Sequence, residues 1–109
     1  MRKASVYRNG ELIGSLKEKD QARYIFEYDE DWYRDSSKPA VSLTLPKSQK
    51  RYKSKYLFPF FYNMLSEGVN KKLQCTQLKI DEKDSFGLLM ATSQYDTIGA
   101  ITVKPEELP

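Results

Sequence analysis

The stretch VYRNGELIGSL, residues Val6–Leu16, determines how the fold begins. Asn9-Gly10 separates two short runs in which apolar residues recur. Both residues tolerate the positive φ angles of a type I′ turn, and Asn-Gly between such runs is the strongest short-range hairpin signal. The stretch therefore predicts a β-hairpin at the start of a sheet.

A third strand follows the hairpin, and one of its sides is aromatic. Ala22, Tyr24, Phe26 and Tyr28 fall on the same side of a pattern with a period of two. Such a stripe forms either one core face of a sheet or a stacking platform for RNA bases. General burial tendencies favour the core face.

Two further strands and a turn complete the predicted β structure. Val41–Leu45 alternates in the same way and predicts a strand that ends at Pro46, and residues 98–103 predict a closing strand before Pro105. Acidic residues crowd segment 27–35 around Trp32. This segment predicts a short helical turn or loop, with Trp32 anchoring it on the sheet.

Helical periodicity appears in the second half of the chain. The pattern predicts one helix that ends near Gly68, a second over residues 70–77, and a third that Asp81 or Asp84 caps. Strands followed by helices and a last strand indicate an α+β fold, here one domain over residues 1–109. The apolar stripe of the first helix is Leu57, Phe61, Met64 and Leu65, and that of the third is Phe86, Leu89 and Met90.

The composition argues against an independent enzyme. The chain contains no histidine, which removes the usual general base and the commonest metal ligand. Its one cysteine, Cys75, excludes a cysteine-rich zinc site and is expected in the core. The glycines form neither a phosphate-cradling loop nor a dinucleotide fingerprint. We therefore expect no catalytic residue, no metal and no cofactor.

The composition also bears on location. A single cysteine favours a reducing compartment. The basic N-terminus lacks an apolar segment behind it, and the most apolar stretch, residues 56–65, is too short to span a bilayer and contains Pro59. We expect a cytoplasmic protein without a membrane partner.

One segment is strongly basic. Residues 47–55 carry five cations and no acid. With Tyr52 and Tyr56, the segment could form a small phosphate-binding patch with stacking residues. A solvated, mobile loop is the simpler interpretation, balanced by the acidic segment within the chain or across an interface. The cations are Lys47, Lys50, Arg51, Lys53 and Lys55.

Six motifs in order resemble the N-terminal subdomain of the HipA family of serine/threonine kinase toxins. This resemblance spans nearly the whole chain and implies a small antiparallel, barrel-like sheet of about five strands packed with two or three helices. After the opening hairpin, the motifs are Tyr24–Tyr28 with Trp32, Val41–Pro46, Phe60–Gly68, Asp84–Leu89 and Asp96–Ile101.

The resemblance also implies a partner. In the family this subdomain runs into a kinase, whereas the present sequence ends at Pro109. The family includes three-gene systems in which a small HipS-like protein binds a separate HipT-like kinase and holds it inactive, and a HipB-like protein binds operator DNA. The chain resembles the small component, so we expect a non-catalytic antitoxin that neutralises the kinase.

The expected partner-binding surface lies in two of these motifs. It combines the exposed end of the first helix with the loop before the closing strand, and Leu65 could serve either the surface or the core. The residues are Asn63, Met64, Leu65, Ser66, Glu67, Tyr95, Asp96 and Thr97.

Two other functions use the same features. Docking on the kinase could instead activate it or deliver a substrate, since inhibition and activation both need only a docking surface. The basic segment Lys47–Lys55 could instead define a nucleic-acid-binding module. The mild net charge of +3 argues against a dedicated nucleic-acid binder, so we do not expect direct nucleic-acid binding.

Overall fold

The computed structural model describes residues 2–20, 23–65, 68–81, 83–92 and 101–106. Five strands and four helices lie within these ranges. They are β1 (Arg2–Arg8), β2 (Glu11–Asp20), β3 (Arg23–Tyr28), α1 (Glu30–Arg34), β4 (Arg51–Ser54), α2 (Pro59–Tyr62), α3 (Gly68–Leu78), α4 (Ser85–Thr92) and β5 (Ile101–Pro105).

The opening hairpin is confirmed. β1 and β2 pair antiparallel around Asn9 and Gly10, whose φ angles are 50° and 83°. These positive values are those that a type I′ turn requires. A register shift between Val6 and Tyr7 places Ile13 in the core and Leu12 at the surface.

The antiparallel sheet is open. Its strand order is β4-β3-β2-β1-β5, so in the described part of the chain β4 and β5 are edges. The predicted antiparallel sheet of about five strands packed with helices is confirmed, but the sheet is not closed into a barrel. Helices cover one face, so the sheet buries its apolar side without curling onto itself, and its edge strands are only four and five residues long.

The aromatic side of β3 forms the core, as burial tendencies favoured, rather than a stacking platform. Tyr24, Phe26 and Tyr28 are buried, and Ala22 lies outside the described residues. The rings of Phe26 and Tyr28 meet edge to face with their centroids 4.9 Å apart. Trp32 on α1 is buried as expected and donates a hydrogen bond of 2.8 Å from Nε1 to the Pro39 carbonyl oxygen.

Segment Val41–Leu45 is not a strand, contrary to its alternating pattern. The Leu45 amide donates to the Ser42 carbonyl oxygen at 3.1 Å, and the Thr44 amide donates to Ser42 Oγ at 3.2 Å. Local bonds of this kind compete with a strand ladder. Val41 and Leu45 nevertheless lie in the core, whereas Leu43 is 99% exposed, so the alternation predicted burial only at the two ends of the segment.

The strand forms instead in the basic segment. β4 pairs with β3 and aligns Tyr52 with Phe26 and Lys53 with Ile25. The interpretation of residues 47–55 as a mobile loop is therefore wrong for this part. Pairing with an apolar neighbouring strand stabilises a sequence whose own composition favours a loop.

The predicted helix that ends near Gly68 is much shorter than expected. α2 has Pro59 at its first turn, and after Tyr62 the chain continues in tight turns, with the Leu65 amide donating to the Tyr62 carbonyl oxygen at 3.1 Å. Gly68 does not end this helix but begins α3. The apolar stripe nevertheless predicted the buried residues correctly, since Leu57, Phe61 and Leu65 belong to the core.

The remaining elements agree with the sequence. α3 covers the predicted residues 70–77 and buries Cys75. Asp84 caps α4, where its Oδ1 accepts a hydrogen bond of 3.1 Å from the Gly87 amide. β5 confirms the closing strand from Ile101 onward, and residues 98–100 lie outside the described part. Among the described residues, no helix is both long and apolar enough to cross a membrane.

Candidate partner-binding surface

The turn after α2 positions the first part of the predicted surface. Phe61 is fully buried, and its ring centroid lies 5.7 Å from that of Phe26 and 5.2 Å from that of Phe60. With Phe61 held inward, Tyr62 is 45% exposed. The Asn63 amide donates to the Pro59 carbonyl oxygen at 2.9 Å, so the backbone of Asn63 closes the helix and its side chain stays exposed.

The structure sorts the predicted surface residues into three groups. Asn63 is exposed, and Met64 is half-buried against the core. Leu65 is only 7% exposed and belongs to the core. The others, Ser66, Glu67, Tyr95, Asp96 and Thr97, lie outside the described residues, so their place on the surface stays a prediction. We call Tyr62, Asn63 and Met64 the α2 corner.

The basic segment is largely occupied by contacts within the chain. Lys47 Nζ donates to the carbonyl oxygens of Asp35 and Lys38 at 2.6 and 2.9 Å, which ties two loops together. Lys50 forms an ion pair with Glu30, and the hydrogen bond to Glu30 raises the pKa of Lys50.

Arg51 is paired in the same way. Its Nη2 lies 2.8 Å from Glu27 Oε1, and the hydrogen bond from Arg51 lowers the pKa of Glu27. The acidic segment 27–35 thus balances part of the basic one within the chain. Lys53 and Lys55 remain exposed.

An ion network that the sequence analysis missed joins α4 to the sheet. The Arg2 guanidinium donates to both carboxylate oxygens of Asp84, at 2.9 and 2.6 Å, and from Nε to Glu18 Oε1 at 2.8 Å. It also lies 5.3 Å from the Phe86 ring centroid, and the Tyr24 hydroxyl donates to Glu18 at 3.2 Å. The sequence contains one indication of this network. Arg2 alternates with the buried Ala4 and Val6 along β1, which places it on the face of the sheet that the helices cover.

Gly87 makes room for this network. A Cβ at Gly87 would overlap the Asp84 carboxylate and lie 3.0 Å from Arg2 Nη1. The Asp84–Leu89 motif therefore carries a structural contact that fixes the start of α4.

This network predicts a pH-dependent stability. The hydrogen bond from Arg2 lowers the pKa of Asp84, so the native state binds its proton less readily than the unfolded chain. The resulting stabilisation is present above the unfolded pKa of about 3.9 and is lost as the pH falls through the lower native value. We expect Arg2→Gln to cost about 1–2 kcal/mol at pH 7, because both side chains are about one-third exposed.

Urea unfolding of the wild type and Arg2→Gln between pH 7 and pH 2 tests this prediction. The free energy of unfolding of the variant should fall less steeply below about pH 5. Arg8→Gln on the same strand is the matched control and should keep the wild-type slope. Equal slopes for Arg2→Gln and the wild type would contradict the assignment.

The described residues hold no group of three or more histidine, cysteine, aspartate or glutamate side chains that could bind a metal ion. Each carboxylate with a lowered pKa accepts a hydrogen bond from a neighbouring group, as Asp84 does from Arg2, Glu27 from Arg51 and Glu106 from Ser5. These carboxylates are therefore engaged in contacts within the chain.

The fold and its structural motifs define a class of protein. The family model of the HipA N-terminal domain matches residues 4–104, and the chain therefore belongs to the HipA N-terminal domain family. A solved structure described as "N-terminal domain of HipA toxin" is similar with a TM-score of 0.73 at 31% sequence identity, covering 98% of this chain and 94% of that chain.

Three curated relatives differ in how much of their own length the match covers. A Haemophilus influenzae protein described as "Uncharacterized protein" is 31% identical over 98% of this chain and 95% of its own length. Two Sinorhizobium fredii proteins, "Putative kinase Y4dM" and "Putative kinase Y4mE", are 30% and 25% identical over 90% and 98% of this chain. The matched region spans only 25% of the length of each of these two proteins.

Proposed function

We propose that this chain is a non-catalytic antitoxin that binds a separate HipA-like serine/threonine kinase of the HipT type and neutralises it. In this proposal it works within a three-component complex that also contains a HipB-like DNA-binding protein. The observation that supports the proposal is how much of each relative the match covers. It covers a quarter of the length of two proteins named as putative kinases, but 95% of the length of the Haemophilus influenzae protein.

The relation between these relatives has a physical consequence. A domain that packs on a kinase within one chain has a surface shaped for that contact. The same contact made in trans has to be stable by association, which a standard interface of about 800 Å² per partner provides. Binding in trans can then hold a kinase in an inactive arrangement without any chemistry from this chain.

The α2 corner is the described surface that we assign to this contact. Tyr62 and Asn63 are exposed, Met64 is half-buried, and the buried Phe61 holds the turn in place. Aromatic and methionine side chains on a rigid turn are typical of interface centres. The corner leads directly into Ser66 and Glu67, which the sequence also assigns to the surface.

Co-expression with a separate HipA-like kinase from the same genome tests the function. An antitoxin should co-purify with the kinase, restore growth and lower its autophosphorylation. Co-purification with unchanged or increased toxicity would replace this proposal by an activating or substrate-targeting subunit. Failure of the two proteins to associate would contradict both functions.

A single substitution tests the assigned surface. We expect Asn63→Arg to weaken kinase binding about tenfold or more, because a large charged side chain at an interface prevents close packing. Isothermal titration with the purified kinase measures the affinity, and circular dichroism verifies the fold. Ser36→Arg adds the same side chain at an exposed position after α1 and should bind like the wild type. Equal affinities for the two variants would contradict the assignment of the α2 corner.

A further inference from the structure

A basic cleft lies at one end of the sheet, away from the α2 corner in the sequence. Its volume is about 430 Å³, and the ends of β2, β3 and β4 form its walls. Four of the described residues that line it are cationic, and none of them is acidic. The cations are Lys19, Arg23, Lys53 and Lys55.

The sheet register brings these cations together from distant parts of the sequence. Ile25 on β3 lies between Lys17 on β2 and Lys53 on β4 in the pairing. Directly paired residues on neighbouring strands point to the same face, so Lys53 shares a face with Ile25. Ile25 is only 5% exposed and, with Tyr24, supplies the apolar part of the lining.

Most of these cations are unpaired within the described part of the chain. No side-chain ion pair or hydrogen bond joins Lys19, Lys53 or Lys55 to another described residue, in contrast to Lys47, Lys50 and Arg51 of the basic segment 47–55.

Arg23 is the exception among the cleft cations. Its Nε lies 2.9 Å from Asp20 Oδ2, and the two side chains are 72% and 47% exposed. An exposed ion pair of this kind is weak. The cleft therefore retains a net positive charge.

The cleft cations outnumber the carboxylate of Asp20 that pairs with Arg23, and this excess of positive charge favours a polyanion. Nucleic acids carry about one negative charge per 1.7 Å of duplex axis, a density that a peptide segment does not reach. Lysine ammonium groups act as point charges that suit phosphates, whereas bidentate carboxylate recognition depends on free arginine forks. We propose that this cleft binds the phosphodiester backbone of a nucleic acid without reading its base sequence.

This proposal revises the sequence-based hypothesis of a patch over Lys47–Lys55. Only Lys53 and Lys55 of that segment belong to the cleft, whereas Lys19 lies on β2 and Arg23 begins β3. The assignment does not depend on the proposed antitoxin function, since the isolated chain can be tested.

The test uses the purified chain and fluorescently labelled 20-nucleotide probes. Fluorescence anisotropy measures the affinity for single-stranded RNA, single-stranded DNA and duplex DNA between 50 and 200 mM salt. Each neutralised phosphate contributes about −0.9 to the slope of log Kobs against log salt for a duplex and about −0.7 for a single strand. Four cations therefore predict a slope of about −2.8 for a single strand and about −3.6 for a duplex, and the preferred probe identifies the source of the phosphates.

Two double variants remove the same charge from the same segment. Lys53→Gln/Lys55→Gln should weaken binding about tenfold or more at low salt and reduce the magnitude of the slope by about 1.5. Lys50→Gln/Arg51→Gln removes two cations that already pair with Glu30 and Glu27, so it should keep the wild-type slope. Circular dichroism verifies that both variants fold.

Three results would overturn the proposal. The first is the absence of salt-dependent binding of the wild type to any of the probes. The second is an equal loss of binding in the two double variants, which would show that binding depends on the net charge of the protein and not on the cleft. The third is tighter binding of poly-glutamate than of the nucleic acids, which would assign the cleft to an acidic protein segment.

Discussion

Phe61→Ala is expected to destabilise the domain by about 3–5 kcal/mol, the usual cost of removing a large buried aromatic ring. Phe61 is fully buried and packs against Phe26 of β3 and Phe60 of α2. α2 has only four residues, so its own hydrogen bonds cannot hold it on the sheet. The loss is a large part of the 5–15 kcal/mol that stabilises a typical domain, and the variant should be largely unfolded near 37 °C.

Urea denaturation followed by circular dichroism measures this effect. The control is Tyr62→Ala, which removes a neighbouring aromatic ring of the same helix that is 45% exposed. It should cost no more than about 1 kcal/mol. If Phe61→Ala were as stable as Tyr62→Ala, the packing of α2 on β3 would not be the contact that holds the α2 corner.

Gly14→Ala is the second substitution with a large expected effect, about 3 kcal/mol. A Cβ at Gly14 would overlap the Glu27 carbonyl oxygen and lie 3.0 Å from the Tyr28 Cα. Both obstacles are backbone atoms of β3, so the clash cannot be relieved by a side-chain rotation. The strands would have to separate where Gly14 pairs with Tyr28, near the centre of the sheet.

Gly10→Ala is the matched control, because it adds the same methyl group for a different reason. Gly10 has a φ angle of 83° and nothing within 4 Å of its Cβ position. Only backbone strain opposes the change, at a cost of about 1–2 kcal/mol. Thermal and urea unfolding of both variants separate the two effects. A Gly14→Ala variant more stable than Gly10→Ala would contradict the close approach of β2 and β3.

The α2 corner could be anticipated only in part. Asn63 and Met64 followed from their place at the end of a predicted helix, and both lie at the surface or its border. The sequence is compatible with Leu65 either at the surface or in the core, and the tight turn after α2 buries it. Helical periodicity could not distinguish these outcomes, because the stripe of Phe61 and Leu65 is compatible with a long helix and with a short helix followed by a turn.

Only half of the cations in the basic cleft could be anticipated, because Lys53 and Lys55 lie in the basic segment that the sequence singles out and the other two do not. Lys19 and Arg23 stand about thirty residues before Lys53 and Lys55 and carry no motif. Their proximity depends on β4 pairing with β3, and the segment that forms β4 has the composition of a loop. The division of the basic segment into paired and unpaired cations follows from the same pairing.

The sequence by itself determined the elements whose signals are local. The Asn9-Gly10 turn, the buried aromatic side of β3, the capping of α4 by Asp84 and the α+β class all depend on residues close together in the chain. Backbone φ preferences, side-chain alternation and capping act over a few residues, so they can be read without the fold.

Only the tertiary structure decided the features that depend on distant partners. These are the open edges of the sheet, the formation of β4 instead of a strand at Val41–Leu45, the Arg2 network with Glu18 and Asp84, and the gathering of four cations in one cleft. Strand pairing and long-range ion pairs join residues whose separation along the chain carries no signal. Their energies are set by packing and register, which exist only once the sheet has formed.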